Sequence, residues 1–136
     1  MDHFHIALSE DQLRAVSSIG LAHVGDAVFE LLVRTWLCTG GKVTSQKLHR
    51  ATIQYVSAPA QAEAVARLLP HLQEEEAALF RRGRNAHVNT IPKHATHEQY
   101  AKATGLETLF GALYLAGQID RLNELFAIVV EEDHAL

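Results

Sequence analysis

The 136 residues predict an all-α domain of about seven helices, and three observations lead to this. Alternating apolar and polar runs of strand period are scarce. β-branched residues are scattered along the chain and do not gather into strand-length blocks. Helix start and stop signals recur from one end of the chain to the other. A chain of this length forms one domain by ordinary size, so we expect a single domain over 1–136.

Ser9 followed by Gln12 reads as a capping box and predicts a first helix at about 10–18. Gly20 is expected to separate it from a second helix over about 21–38, closed by Gly40 and Gly41. A third helix starts near Thr44 or Ser45 and reaches about Tyr55. "SAPA" restarts the helix with Pro59 in its first turn, and Pro70 stops this fourth helix near Leu69. The fifth covers about 73–82, with Glu74, Glu75 and Glu76 at its positive end and Arg81 and Arg82 at its negative end. Gly83 is read as its left-handed stop. "GRNAHVNTIPKHAT" is the longest loop, and long loops in compact domains are often functional. Thr96 with Gln99 opens the sixth helix, which runs to about Ala116 before Gly117, and the seventh covers about 118–132.

The hydrophobic content of 48% with 21% charged residues is that of a folded globular chain. The single cysteine, Cys38, excludes an internal disulfide framework and a cysteine metal cluster, which fits a reducing cytoplasm. "MDHFHIALSEDQ" has neither the basic start nor the apolar core of a secretory signal. No apolar run approaches the ~18 residues of a membrane span. A cytoplasmic protein without a membrane partner is expected. The net charge of −4 argues against nucleic acid only as a sum, because Glu74–76 and the tail "EEDHAL" hold six of the sixteen acids.

Two helices carry acids in unusual company. In "GLAHVGDAVFELL", Asp26 follows Gly25 and shares a face with Ala22 and Glu30; in "ATGLETLFGALYLAG", Glu107 shares one with Ala103 and Gly111. Glycine inside a helix costs roughly 1 kcal/mol against alanine, and a carboxylate among apolar residues needs a partner. Small residues let helices approach closely. The economical reading is that the second and sixth helices cross here and bring Asp26 and Glu107 together. Two adjacent carboxylates need a shared proton or a cation, and oxygen ligands suit Mg²⁺ or Mn²⁺. The alternative is that each acid pairs with an arginine or caps a helix.

"VGDAVFELLVRTWL" and, much later, "ATGLETLFGALYLAG" resemble the two halves of the ribonuclease III catalytic-domain signature. "LHRATIQYVSAPAQA" and "RRGRNAHVNTIPK" between them resemble the shorter Mini-ribonuclease III branch, which has no separate dsRNA-binding domain. The resemblance covers about 15–125. It implies a ribonuclease III-like all-helical homodimer that cuts double-stranded RNA with Mg²⁺, Mn²⁺ being a substitute ion. It further implies that the substrate is the ends of 23S ribosomal RNA precursor, with a ribosomal protein as a candidate helper. Asp26 and Glu107 match the family's metal-binding acids and are the expected catalytic pair. Larger ribonuclease III enzymes have further acids where this chain has Ile19, Ala22 and Thr104, so more water is expected around the ion. Glu30, one turn from Asp26, either supports the site from behind or forms a surface salt bridge. His23 either approaches the site or packs. The other histidines show no zinc spacing and are read as surface groups.

Arg81, Arg82, Arg84 and Asn85 stand at the mouth of the long loop, Lys93 lies within it, and Lys47 and Arg50 precede. We expect these seven to contact phosphates and 2′-hydroxyls of duplex RNA. For Arg81 and Arg82 the alternative is complementation of a helix C-terminus; Arg84 is expected to lie beyond that helix. Val28, Phe29, Leu32, Val33 and Trp36 make the second helix apolar around much of its circumference, which predicts that it contributes to a dimer contact. The competing function is a non-catalytic module of the same fold that grips structured RNA or a ribosome.

Overall fold

Local capping chemistry sets most helix starts. In the computed structural model, which describes residues 2–41, 43–86 and 94–130, Ser9 and Gln12 form a reciprocal capping box at α1 (Glu10–Arg14). Thr96 and Gln99 do the same at α6 (His97–Leu115). Ser17 caps α2 (Ser18–Thr39) through the Gly20 amide. A single 3₁₀ turn, Ser45–Lys47, leads into α3 (Leu48–Val56). Ser57 caps α4 (Ala58–Leu68), and a second 3₁₀ turn, Leu69–His71, carries Pro70. Then come α5 (Glu74–Arg84) and, after α6, α7 (Ile119–Val129). Gly41 and Gly117 turn the chain at φ +68° and +75°, a conformation that favours glycine. The fold is all-α, with seven α-helices and no strand among the described residues.

Four details differ from expectation. The first helix ends at Arg14, since Ser17 starts the next one four residues before position 21. Gly20 therefore lies inside the first turn of α2 and separates nothing. Gly83 lies inside α5, which continues to Arg84 with Asn85 as its C-cap, so Arg84 is helical. Glu76 is buried: its carboxylate accepts from the Gln73 amide and from Arg121 Nε at 2.7 Å, tying α5 to α7. The Arg121 guanidinium holds the Glu76 carboxyl below its ordinary range.

The core forms around α6. Eleven of its nineteen residues are buried, and α2, α4, α5 and α7 all pack on it. A helix covered on all sides has no polar face to keep, which is why "TGLETLFGALYL" is apolar throughout except at Glu107 and two threonines. Thr104 and Thr108 return their hydroxyls to the carbonyls of Tyr100 and Thr104. Phe29 of α2 meets Phe110 of α6 and Phe126 of α7 edge-on, with ring centroids 5.5 and 6.4 Å apart. Val28, Phe29 and Val33 thus belong to the protomer's own core, with Leu32 and Trp36 packed partly against it. The large apolar side chains that α2 leaves exposed are Ile19 and Leu31. No helix among the described residues is long and apolar enough to cross a membrane.

Candidate active site

The crossing of α2 and α6 is made by glycine. A Cβ placed on Gly25 would stand 1.6 Å from the Glu107 carbonyl oxygen, and one on Gly111 would stand 2.0 Å from the Leu21 carbonyl oxygen. Neither obstacle is a side chain that could turn aside; both are backbone. The two helices therefore touch main chain to main chain, and the residues flanking the contact are carried together. Asp26 follows Gly25 directly, and Glu107 lies one turn before Gly111. Their carboxyl groups come close enough across the crossing for the charge of one to act on the other. The pairing expected from the small residues is present.

The pair is electrostatically uncomfortable. Burial pushes the Glu107 carboxyl up from its ordinary 4.5 to about 8, and the Asp26 carboxylate pushes it further in the same direction. A third group opposes this: Gln61 Nε2 on α4 donates to Glu107 Oε2 at 3.4 Å. Asp26 itself is exposed and opens onto a groove of about 540 Å³ lined by His23, Ala27, Glu30, Leu31 and Arg34. Among the described residues no cluster of three or more His, Cys, Asp or Glu is placed to hold a metal ion. What the crossing offers is two carboxylates with hard oxygen donors and one surplus proton. A divalent cation of the Mg²⁺ class fits such a set, because it removes the repulsion that keeps the proton bound. The positions where acids are absent supply no further ligand: Ala22 is buried, Ile19 is an exposed aliphatic chain, and the Thr104 hydroxyl is bonded within its own helix.

Glu30 pairs with Arg34 one turn on, at 2.7 Å. The salt-bridge alternative is the one the structure contains, at the edge of the same groove. Arg34 was not singled out from the sequence, although its i,i+4 spacing from Glu30 was a usable signal. Gln61 was also missed. The signal there is a polar residue at the head of an apolar stripe, with Ala64, Val65 and Leu68 at i+3, i+4 and i+7, all buried.

The basic candidates fall in two places. Arg81, Arg82, Arg84 and Asn85 sit together at the C-terminal end of α5. Arg82 reaches across to α2, donating to Ser18 Oγ at 2.6 Å and to the Val16 carbonyl at 3.0 Å. Arg84 lies over the Phe80 ring, 5.8 Å from its centroid. Arg81 is exposed and makes no hydrogen bond or ion pair among the described residues. Lys47 and Arg50 line a separate groove of about 240 Å³ with Thr44 and Gln54. Lys93 lies outside the described residues. Asp26 thus sits along α2 between one basic cluster tied to its N-terminal end and another beside its C-terminal end, where Trp36 meets Tyr55 of α3.

Residues 20–118 match the model of the ribonuclease III domain. The chain is 40% identical over 123 residues to a Mini-ribonuclease 3 of Clostridium tetani, covering 90% of this chain and 82% of that one. It is 48% identical over 105 residues to a Mini-ribonuclease 3 of Symbiobacterium thermophilum, covering 77% and 81%. A crystal structure of a Fusobacterium nucleatum protein superposes with a TM-score of 0.80 at 29% identity, covering 91% of this chain and 98% of that one. The matched span contains both carboxylates and the glycine crossing that pairs them, and by that span and these identities the chain belongs to the Mini-ribonuclease III branch of the ribonuclease III domain family.

Proposed function

We propose that the chain cuts double-stranded RNA with Mg²⁺ held by Asp26 and Glu107, Mn²⁺ substituting, and that it works as a homodimer in the cytoplasm. As a member of its family the chain is an endoribonuclease. The observation that carries the finer reading is the carboxyl pair that Gly25 and Gly111 force together. When bound there, a divalent ion supplies a Lewis acid for the phosphate and a more acidic water. Glu107, once it gives up its proton, and Asp26, from the open side of the groove, would hold that ion. Arg34, at the groove's rim, and the exposed Arg81 and Arg84 would meet RNA phosphates, and Lys47 and Arg50 would do so from the other end of α2. Asn85 is assigned the same role, and so, on its sequence alone, is Lys93.

Dimerisation is supported by symmetry and by surface. A duplex has two antiparallel strands related by a local two-fold, and one carboxylate pair per protomer matches one strand each. Beside the Asp26 groove lies a second groove of about 580 Å³, apolar and sharing His23, Ala27 and Leu31 with the first. Phe4, Leu31 and Ile119 border it and remain largely exposed. The 23S ribosomal RNA precursor as substrate, and a ribosomal protein as helper, rest on the Mini-ribonuclease III resemblance alone.

The test is cleavage of long duplex RNA with Mg²⁺ against EDTA, using wild type, Asp26→Asn and Glu107→Gln. Either substitution keeps shape and removes a charged ligand, so cleavage is expected to fall by orders of magnitude while the helical circular dichroism and duplex binding persist. Near-normal turnover by either folded variant rules out the ligand role. Light scattering at low micromolar concentration reads the assembly; a mass of 15.0 kDa in protein that still cuts both strands together overturns the dimer.

A further inference from the structure

Gln61 is the one large polar side chain on the buried face of α4, and it is 1% exposed. Its neighbours on that face, Ala64, Val65 and Leu68, are equally enclosed. A leucine or methionine would fill the same volume without a polar group to satisfy. An amide in such a place has to be explained by what it bonds. Its bond is to Glu107 Oε2, at 3.4 Å, from a helix that packs on α6 independently of α2. Glu107 therefore faces Asp26 of α2 on one side and is held by Gln61 of α4 on the other.

We propose that Gln61 is a positioning residue that fixes the orientation of the Glu107 carboxylate for cation binding. The proposal rests on Asp26 and Glu107 being the cation's ligands. The chemistry of the amide suits the task. Its N–H donates to one carboxylate oxygen and leaves the other available. It favours the ionised carboxylate without adding a charge. A lysine in its place would neutralise the pair and compete with the cation, a glutamate would add a third negative charge, and a leucine would leave the carboxylate unheld. With only two carboxylates at the crossing, each must be well oriented, and a fixed outer partner is how such ligands are held.

The test uses the full chain as Gln61→Leu and Gln61→Met, with Glu107→Gln beside them. Mn²⁺ affinity without RNA, by calorimetry or electron spin resonance, is expected to weaken about tenfold in both Gln61 variants. At limiting Mn²⁺, single-turnover cleavage falls in parallel while the duplex dissociation constant stays unchanged. A folded Gln61→Met protein with wild-type Mn²⁺ affinity overturns the proposal. A measurement on the unsubstituted chain guards against variants that do not fold. The Gln61 side-chain amide resonance is expected to shift on adding Mg²⁺, and the shift is expected to vanish in Glu107→Gln. An amide that ignores Mg²⁺ also overturns the proposal. The two failures are separable. If Glu107→Gln keeps both turnover and Mn²⁺ affinity, the ligand assignment itself is wrong. If it loses both while Gln61→Met loses neither, only the role of Gln61 is wrong.

Discussion

The two sides of α6 use glycine in the same way for different ends. Toward α2, Gly25 and Gly111 let backbones touch, and a Cβ on either would strike main-chain atoms at 1.6 and 2.0 Å. Toward α5, a Cβ on Gly83 would meet Thr108 Oγ1 at 2.2 Å, and one on Gly105 would meet the Phe80 ring at 2.7 Å. The α5 contact encloses threonine hydroxyls already bonded within α6, so the close approach yields density and nothing else. The α2 contact encloses two acids. Close packing is thus neutral in itself; what the chain places one residue or one turn away decides whether a seam is structure or a site.

Alanine substitution separates the two seams and carries the largest expected effect. Gly25→Ala and Gly83→Ala should both destabilise by about 1–3 kcal/mol or more, the usual range for overpacking. Gly25→Ala must push α2 off α6 and displace one carboxylate from the other. Cleavage per folded molecule should then fall about a hundredfold, the scale of an ångström-sized misplacement. Gly83→Ala should keep near-normal cleavage per folded molecule. Urea unfolding and single-turnover assays on both proteins give the comparison; equal catalytic loss in the two would mean that the α5 seam also shapes the site.

A smaller effect sharpens it. Burial and Asp26 raise the Glu107 carboxyl from 4.5 to about 8 in the folded chain. Between those values the metal-free folded protein keeps a proton that the unfolded chain releases. Stability of the metal-free protein should therefore fall as pH rises from 4.5 to about 8 and level off above. Glu107→Gln should match wild type at the acid end and be more stable at the alkaline end. Excess Mg²⁺ should flatten the wild-type slope, because the cation takes the proton's place. Unfolding curves with and without EDTA read this; a slope that survives Glu107→Gln assigns it elsewhere. The α5 seam has no such group and contributes no slope.

The smallest effects concern the arginines that end α5. Arg81→Ala and Arg84→Ala should each flatten the salt dependence of duplex binding by about one unit of log–log slope. Arg82→Ala should cost about 1 kcal/mol of stability, because its bonds to Ser18 and Val16 pin α5 to the start of α2. An Arg82 variant with unchanged stability and a flattened slope would return Arg82 to RNA contact.

What could be read from the sequence follows the range of the interaction responsible. The capping boxes at Ser9 and Thr96 were legible because donor and acceptor lie three residues apart. The α2–α6 crossing was legible because small residues and an embedded acid repeat on both helices. Gly83 was misread because a glycine beside arginines at a helix end looks like a stop, whereas its reason is Thr108, twenty-five positions later. The stripe marks Gln61 as an oddity, but its partner and that of Arg82 were out of reach for the same reason: they lie forty-six and sixty-four residues away. Val28, Phe29 and Val33 were correctly read as needing cover on several sides, but the cover is Phe110 and Phe126 of the same chain.

The central place of α6 also sets a timetable for the newborn chain. The helix that α2, α4, α5 and α7 all lean on is the sixth of the seven described α-helices to be synthesised. Even the opening segment waits for it: Leu8 bonds the Leu115 carbonyl at 2.7 Å, and Tyr114 donates to the Phe4 carbonyl at 3.0 Å. At about 5–20 residues per second, the first hundred residues take several seconds to make, and until α6 follows them the helices before it have only one another to pack on. Asp26 and Glu107 stand eighty-one positions apart, so no fragment that lacks α6 can assemble the pair.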